Sequence, residues 1–321
     1  MSLKAGTMPI SEHFKLTTLA EGVYAAIATP SGGAGSNAGI IDLGNHTLIF
    51  DAMTTSVAAE DLKNAAEQLT GQIASFVINS HAHSDHVGGN QVFGPQTPII
   101  STHKTRAAIP ATTAYMKELK ADHSGVEKEL KADEERLEKE MVASERARLA
   151  TAISRQRYIL ASISNFELRL PDQTFEGELT FYGTQRQATL TTKGKGHTDS
   201  DAYLVLAEEH ILFMGDLGFL QVQPFIASRD LAAWIKQLEE LEASNYEVFV
   251  PGHGPVGTKA DIILLRKYLI AIDQLITQAV AEGKTVEEAL QMPLPAPFDT
   301  WVSNDRRRFE RNVRTLYQRQ K

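Results

Sequence analysis

The chain has 321 residues, a formal net charge of −8 and 42% hydrophobic residues, the composition of an ordinary globular protein rather than a disordered one. The acidic balance excludes a general attraction to phosphate backbones or anionic membranes, and with no cysteine any metal must be held by imidazole, carboxylate or carbonyl groups. No stretch approaches the length of a membrane span and the start lacks a basic segment followed by an apolar run, so the expectation is a cytoplasmic protein with neither membrane nor nucleic-acid partners; Met1-Ser2-Leu3 reads as an appended start, which leaves room for a natural leader ahead of it.

Between Phe14 and Asp51, the β-rich runs Val23 to Ala28, Ala38 to Leu43 and Thr47 to Phe50 are separated by turn residues such as Gly44-Asn45 and predict antiparallel strands. Ser56 to Leu69 has apolar positions at helical spacing, and Ile73 to Ile78 is a short apolar strand that delivers the chain to His81. From Lys104 to Ile163 the composition shifts to Ala, Glu, Lys, Arg and Leu, the strong helix formers. An inserted helical hairpin is predicted there, with one helix over Ala107 to Lys120, a break at Ser124-Gly125 and a longer second helix. The second helix carries Leu130, Leu137, Met141, Leu149, Ile153 and Leu160 on a drifting stripe. Such a stripe needs an apolar partner, which predicts that the hairpin covers a substrate cleft or joins a second subunit in a homodimer.

The second half returns to strands at Leu179 to Tyr182, Ala188 to Thr192, Ala202 to Leu206 and Ile211 to Met214, then a helix from Leu231 to Leu241 and a strand from Val248 to Val250. The tail from Asn304 to Lys321 interleaves Phe309, Val313, Leu316 and Tyr317 with its arginines, an amphipathic helix rather than a nucleic-acid patch. The expected organisation is a domain over 1–257 with the insertion at 104–163, and a helical extension over 258–321 packed on the same domain.

One segment concentrates metal-ligand chemistry. Ser80 to Gly89 reads Ser-His-Ala-His-Ser-Asp-His-Val-Gly-Gly, placing His81, His83, Asp85 and His86 directly after an apolar strand. Residues i and i+2 of an extended segment project to one side, so His81 and His83 can share an ion. A turn at Ser84 then presents Asp85 and His86 to a neighbouring position. Isolated His13, His46, His103, His123 and His210 read as ordinary surface histidines. Three more candidates lie where a strand gives way to a loop: His197 in Gly196-His197-Thr198, Asp216 in Gly215-Asp216-Leu217, and His253 in Pro251-Gly252-His253-Gly254.

This order, His-x-His-x-Asp-His, then Gly-His, Gly-Asp and Gly-His-Gly, resembles the metallo-β-lactamase superfamily and its glyoxalase-II-like hydrolases, over about Phe14 to Gly257. The resemblance implies an α/β fold, a four-layer αββα sandwich, here with an inserted helical hairpin and a helical C-terminal tail. It also implies two divalent metal ions, zinc first and iron or manganese as alternatives. His81, His83 and His197 resemble the ligands of one ion, Asp85, His86 and His253 those of the other, and Asp216 the carboxylate between them. The implied reaction is attack by a metal-bridging hydroxide on an ester, thioester, lactone, amide or phosphodiester of a small molecule, with Asp85 orienting the nucleophile and taking a proton.

The subfamily pattern narrows the choice. Lactamases with cysteine in place of Asp216 are excluded by composition, which leaves β-lactam hydrolysis a side activity, and the tail offers no recognisable glutathione-binding set. A one-iron oxygenase of the sulfur dioxygenase type and a non-catalytic metal-binding protein remain as alternatives. Asp51, at a strand end, resembles the family's aspartate that hydrogen-bonds behind the histidine segment, or else caps its own turn. Thr198 and Ser84 are candidates to bond ligand imidazoles or their own turns, and Lys193, Lys195 and Tyr203 are candidates for an anionic substrate group or for plain solvation.

Overall fold

The computed structural model describes residues 8–226 and 231–320; Met1-Ser2-Leu3 and Lys321 lie outside the described residues. The chain divides into two compact units, one of residues 1–176 and 180–188, the other of 177–179 and 189–321.

The first unit is built on a seven-stranded sheet in sequence order: β1 (Phe14–Ala20), β2 (Val23–Ala28), β3 (Ala38–Asp42), β4 (Thr47–Phe50), β5 (Phe76–Ile78), β6 (Ile99–Thr102) and β7 (Gln173–Phe175). β1 to β4 pair antiparallel and β4 to β7 parallel. The change of direction follows from the first crossover helix, α1 (Ser56–Thr70). Thr55 caps α1 by accepting from the Ala58 amide, and Gly71 ends it in a left-handed conformation. Its buried Ala58, Leu62, Ala65 and Ala66 pack in one core with Ile40, Ile49 and Val77 of the sheet. The strand expected from Ile73 is shorter, because Ile73 is 58% exposed and the chain enters the sheet only at Phe76.

A single turn of helix, α2 (Ser84–Val87), follows β5. The insertion comprises four helices: α3 (His103–Thr112), α4 (Ala114–Ala121), α5 (Ser124–Lys139) and α6 (Ala143–Ile163). The single helix predicted for Ala107 to Lys120 breaks at Thr113, just after Pro110, where the Ile109 carbonyl accepts both the Thr113 amide and the Thr113 hydroxyl. The long second helix is itself a pair, α5 and α6, joined at 140–142. Arg146 donates to the carbonyls of Leu137 (2.7 Å) and Glu140 (2.9 Å), closing the end of α5 and turning the chain back. Met141 therefore leaves the predicted apolar stripe and is 88% exposed, whereas Leu149 and Ile153 are buried. Tyr158 of α6 ties the hairpin to the first strand region, donating to Glu12 (2.6 Å) and meeting the His13 ring edge-on.

The second unit carries a five-stranded sheet of order β12-β11-β10-β9-β8, from β8 (Glu178–Tyr182), β9 (Gln187–Gly194), β10 (Asp201–Leu206), β11 (Ile211–Phe219) and β12 (Val248–His253). β11 runs antiparallel to β10 and parallel to β12, with α7 (Leu231–Ala243) as the crossover. β11 and β12 extend past their predicted ends and carry Asp216 and His253 within the strands. The tail forms α8 (Lys259–Ala281), α9 (Val286–Ala289), α10 (Phe298–Asn304) and α11 (Arg306–Gln320). Phe309, Val313, Leu316 and Tyr317 of α11 join Tyr268, Leu269 and Ile272 of α8 in one core with Trp234 and Phe219.

Candidate metal centre

Parallel pairing of β4 with β5 aligns Phe50 with Ile78, so both strands end at one edge and release Asp51 and Asn79-Ser80-His81 side by side. Asp51 adopts a left-handed φ of 65°, a conformation that costs a non-glycine residue roughly 1–2 kcal/mol. Its bonds hold it there. Asp51 Oδ1 accepts the Ser80 amide (2.7 Å), and Oδ2 accepts the Ser80 hydroxyl (2.8 Å) and lies 2.7 Å from His86 Nδ1. Of the two roles open to Asp51 in the sequence, the structure shows the bonding behind the histidine segment.

One carboxylate thereby sets two imidazoles. His86 Nδ1 donates to Asp51, which leaves Nε2 with the lone pair. The Ser80 hydroxyl, spent on Asp51, accepts from His81 Nδ1 (3.0 Å), which likewise leaves His81 Nε2 with its lone pair. His81 Nε2 is 3.0 Å from His83 Nδ1, so the i and i+2 residues do meet. Asp85 Oδ2 lies 3.8 Å from His86 Nε2, and the Asp85 backbone is held by the Ser36 hydroxyl (2.6 Å). The first unit thus brings His81, His83, Asp85 and His86 together.

The turn back into the fold demands glycine. A Cβ on Gly88 would lie 2.1 Å from the Thr54 carbonyl oxygen, and one on Gly89 would lie 2.2 Å from that of Ala52. Asn79 and Asn90 complete the support through a reciprocal amide pair (3.0 and 2.9 Å), with Asn79 also donating to the His86 carbonyl. Sequence reading missed both asparagines and Ser36. Their only signal is buried polar character, visible once the fold is known.

In the second unit, parallel pairing of β11 with β12 sets Gly215 against Pro251 and Phe219 against His253, and the Asp216 and His253 side chains meet. Asp216 Oδ2 is 3.2 Å from His197 Nε2, and Oδ1 is 3.3 Å from His253 Nε2. A single buried carboxylate thus spans two imidazoles, one on each oxygen. Trp234 packs edge-on against His197 (centroids 5.2 Å apart) and Phe219 stacks on His253 at 4.9 Å. Trp234 itself is pinned by donation to the Leu217 carbonyl. A Cβ at Gly252 would lie 2.0 Å from Asp216 Oδ1, so this position beside the carboxylate must be glycine.

The donor sets fit a metal. Two ligand atoms about 2.0–2.1 Å from one tetrahedral ion lie roughly 3.3 Å apart, and the spacings within each unit, 3.0 Å for His81–His83 and 3.2 and 3.3 Å around Asp216, approach that value. Other candidates resolve differently. Thr198 serves its own turn, bonding Asp201 through both amide and hydroxyl (2.8 Å each). Ser84 binds neither an imidazole nor its turn but the phenol of Tyr115 in α4 (2.9 Å). Burial raises the Tyr115 pKa, the Ser84 bond offsets part of that rise, and Asp85 adds to it. Lys193 and Lys195 are exposed, whereas Tyr203 is buried and its pKa is pushed up to about 12, first by desolvation, so Tyr203 is a core residue and neither of the expected alternatives.

A sequence model of the metallo-β-lactamase superfamily matches residues 31–253, well over half of the chain. The chain belongs to the metallo-β-lactamase superfamily. Solved structures agree on the fold: a metallo-β-lactamase from Pontibacter korlensis is 17% identical over 80% of this chain and 98% of its own, with a TM-score of 0.56. A metallo-β-lactamase from Pseudomonas aeruginosa, determined in a mono-zinc form, is 14% identical over 82% of this chain and 97% of its own, with a TM-score of 0.57. The two sheets with their helices are consistent with that family's mixed α/β sandwich, and a helical tail follows them.

Proposed function

We propose that the protein is a metal-dependent hydrolase of the glyoxalase-II-like kind, in which the two ligand sets serve one dinuclear centre. His81, His83 and His197 would hold one ion, Asp85, His86 and His253 the other, and Asp216 both. The observation that carries this reading is the Asp216 carboxylate, with one oxygen on each of two histidines and buried beside a glycine that admits no side chain. A carboxylate so placed compensates two positive charges at once. Donors that are imidazole and carboxylate throughout suit zinc, and also iron or manganese.

Once bound, a pair of divalent ions supplies a water of lowered pKa and polarises the carbonyl or phosphoryl oxygen under attack. This chain's residues supply the rest. Asp51 fixes the tautomers of His81 and His86. Asp85, held at its backbone by Ser36 and partly open to solvent, is placed to orient the attacking water and accept its proton. The leaving oxygen, nitrogen or sulfur then takes up a proton as the scissile bond breaks. The substrate is a small molecule, and β-lactams rank behind esters, thioesters, lactones and phosphodiesters.

A panel of those substrates, run on protein whose metal content has been measured, tests the reading. Turnover of at least one class, lost in chelator and accompanied by about two divalent ions per chain, is expected. One tightly held iron with no hydrolysis would turn the assignment to the oxygenase alternative, and bound metal with no turnover of any kind would turn it to a metal-binding protein.

A further inference from the structure

The first unit contains a cavity of about 30 Å³ that opens to solvent between the insertion and the histidine segment. Its apolar wall is Met116 and Leu119 of α4, Ile159 and Ile163 of α6, and Phe166. Its opposite side is Gly88, at the end of α2, and Thr54, whose carbonyl oxygen Gly88 approaches so closely that no side chain fits between them. Tyr115 lines the same cavity and bonds Ser84, the residue between His83 and Asp85. The cavity wall is therefore tied by a hydrogen bond to the segment that bears four of the proposed ligands.

A second observation concerns Ser162. Ser162 lines the cavity and is 6% exposed, and its buried hydroxyl oxygen has no hydrogen-bond partner among the described residues. A helical serine normally bonds the carbonyl a turn earlier, and a buried hydroxyl left without a partner is unfavourable. An apolar cleft that opens to solvent and carries one waiting donor has the lining of a small-molecule subsite.

Resting on the hydrolase reading above, we infer that this cavity is a substrate subsite for an aliphatic chain of medium length, with the Ser162 hydroxyl donating to an acceptor oxygen carried on that chain. The insertion then selects substrates by their apolar part, while the histidine segment handles the bond that breaks. A chain entering along Tyr115 meets apolar side chains on the insertion side and the hydroxyl of Ser162 among them.

Two measurements on the purified full-length protein separate this inference from the hydrolase reading. The first needs no turnover: the methyl signal of Met116, labelled and assigned by its loss in Met116→Leu, is followed while octan-1-ol is added, with ethanol as the short-chain comparison. A saturable shift with octan-1-ol, absent with ethanol and at least tenfold weaker in Leu119→Trp, is expected. The second uses whichever scissile bond the panel identifies, in a series from acetyl to decanoyl. The specificity constant should rise about fourfold per methylene until the cavity is full. The octanoyl-to-acetyl ratio should collapse in Leu119→Trp, and Ser162→Ala should remove any preference for chains bearing an ether or keto oxygen.

A Met116 shift with no hydrolysis of any substrate would keep the subsite and sink the hydrolase. Hydrolysis with a flat chain-length profile and an unperturbed Met116 would keep the hydrolase and show that the cavity is a packing gap only. A chain-length rise that survives in Leu119→Trp would place the apolar subsite elsewhere and overturn the inference.

Discussion

At the scale of single residues, the candidate centre depends on groups that orient ligands as much as on the ligands. Asp51 bonds His86 directly and reaches His81 through Ser80, so one carboxylate decides which ring nitrogen each histidine presents. Gly252 is the counterpart in the second unit. Replacing it with alanine would drive a methyl group into Asp216 Oδ1 and the Gly215 backbone, and neither can move without disturbing β11. Gly252→Ala should therefore lower metal affinity by 10- to 100-fold, the range for lost ligand support, read as metal retained after dialysis. A variant that folds and keeps its full metal complement would show that the carboxylate is not held by this contact.

His13 makes a separate residue-scale prediction. Burial lowers its pKa against the opposing pull of Asp61 and Glu12, and its Nδ1 accepts the Gly33 amide. The folded state thus favours the neutral ring, and the unfolded chain binds the proton more readily. Its contribution to stability is fully present above the ordinary histidine pKa of 6.5 and is lost as pH falls below it toward the lowered folded value. Denaturant midpoints measured between pH 8 and 5 should fall toward acid, and His13→Gln should flatten that slope. An unchanged slope in the variant would assign the acid sensitivity to other groups.

At the scale of elements, the candidate ligands were legible from their residue types in short motifs beside strands, although Asp216 and His253 prove to lie within β11 and β12 and not after them. Most strands were legible too, from alternation and from turn residues such as Gly44-Asn45. β1, β6 and β7 were not. β6 and β7 are four residues or fewer, and β7 exposes its first two side chains, so neither shows a period. The break between α5 and α6 was hidden for another reason. No glycine or proline marks 140–142, and most residues around it favour helix; the turn is closed by Arg146 reaching back to the carbonyls of Leu137 and Glu140. Trp234, Asn79 and Asn90 were invisible as supports because their partners are set by the fold and not by local pattern.

The tail acts on the loop that follows β11. Asn312 of α11 accepts the Ile226 amide (3.0 Å) and donates to the Pro224 carbonyl (2.8 Å), while Gln223 accepts from Tyr268 of α8 (3.0 Å). Asn312→Ala would strand a buried amide and a buried carbonyl, at about 1–3 kcal/mol for a group left unsatisfied. Urea unfolding should show a loss of roughly 2 kcal/mol. A loss below about 0.5 kcal/mol would mean that α11 does not secure this loop.

At the scale of the whole molecule, family membership accounts for the mixed α/β plan, and this chain carries four helices between β6 and β7 and a helical tail. Among the described residues no helix is long and apolar enough to cross a membrane. Each compact unit contributes a set of donors whose supports are complete within that unit: Asp51, Ser80 and the Asn79–Asn90 pair in the first, Trp234, Phe219 and Gly252 in the second. Neither set has enough donors for two ions, so the proposed chemistry requires both. The most direct test is to strip the protein with chelator and follow hydrolysis of its best panel substrate as zinc is returned in measured equivalents. The proposal predicts no activity in the stripped protein and recovery that is complete only when about two equivalents are bound. Full activity in the stripped protein, or complete recovery with only one equivalent bound, would contradict it.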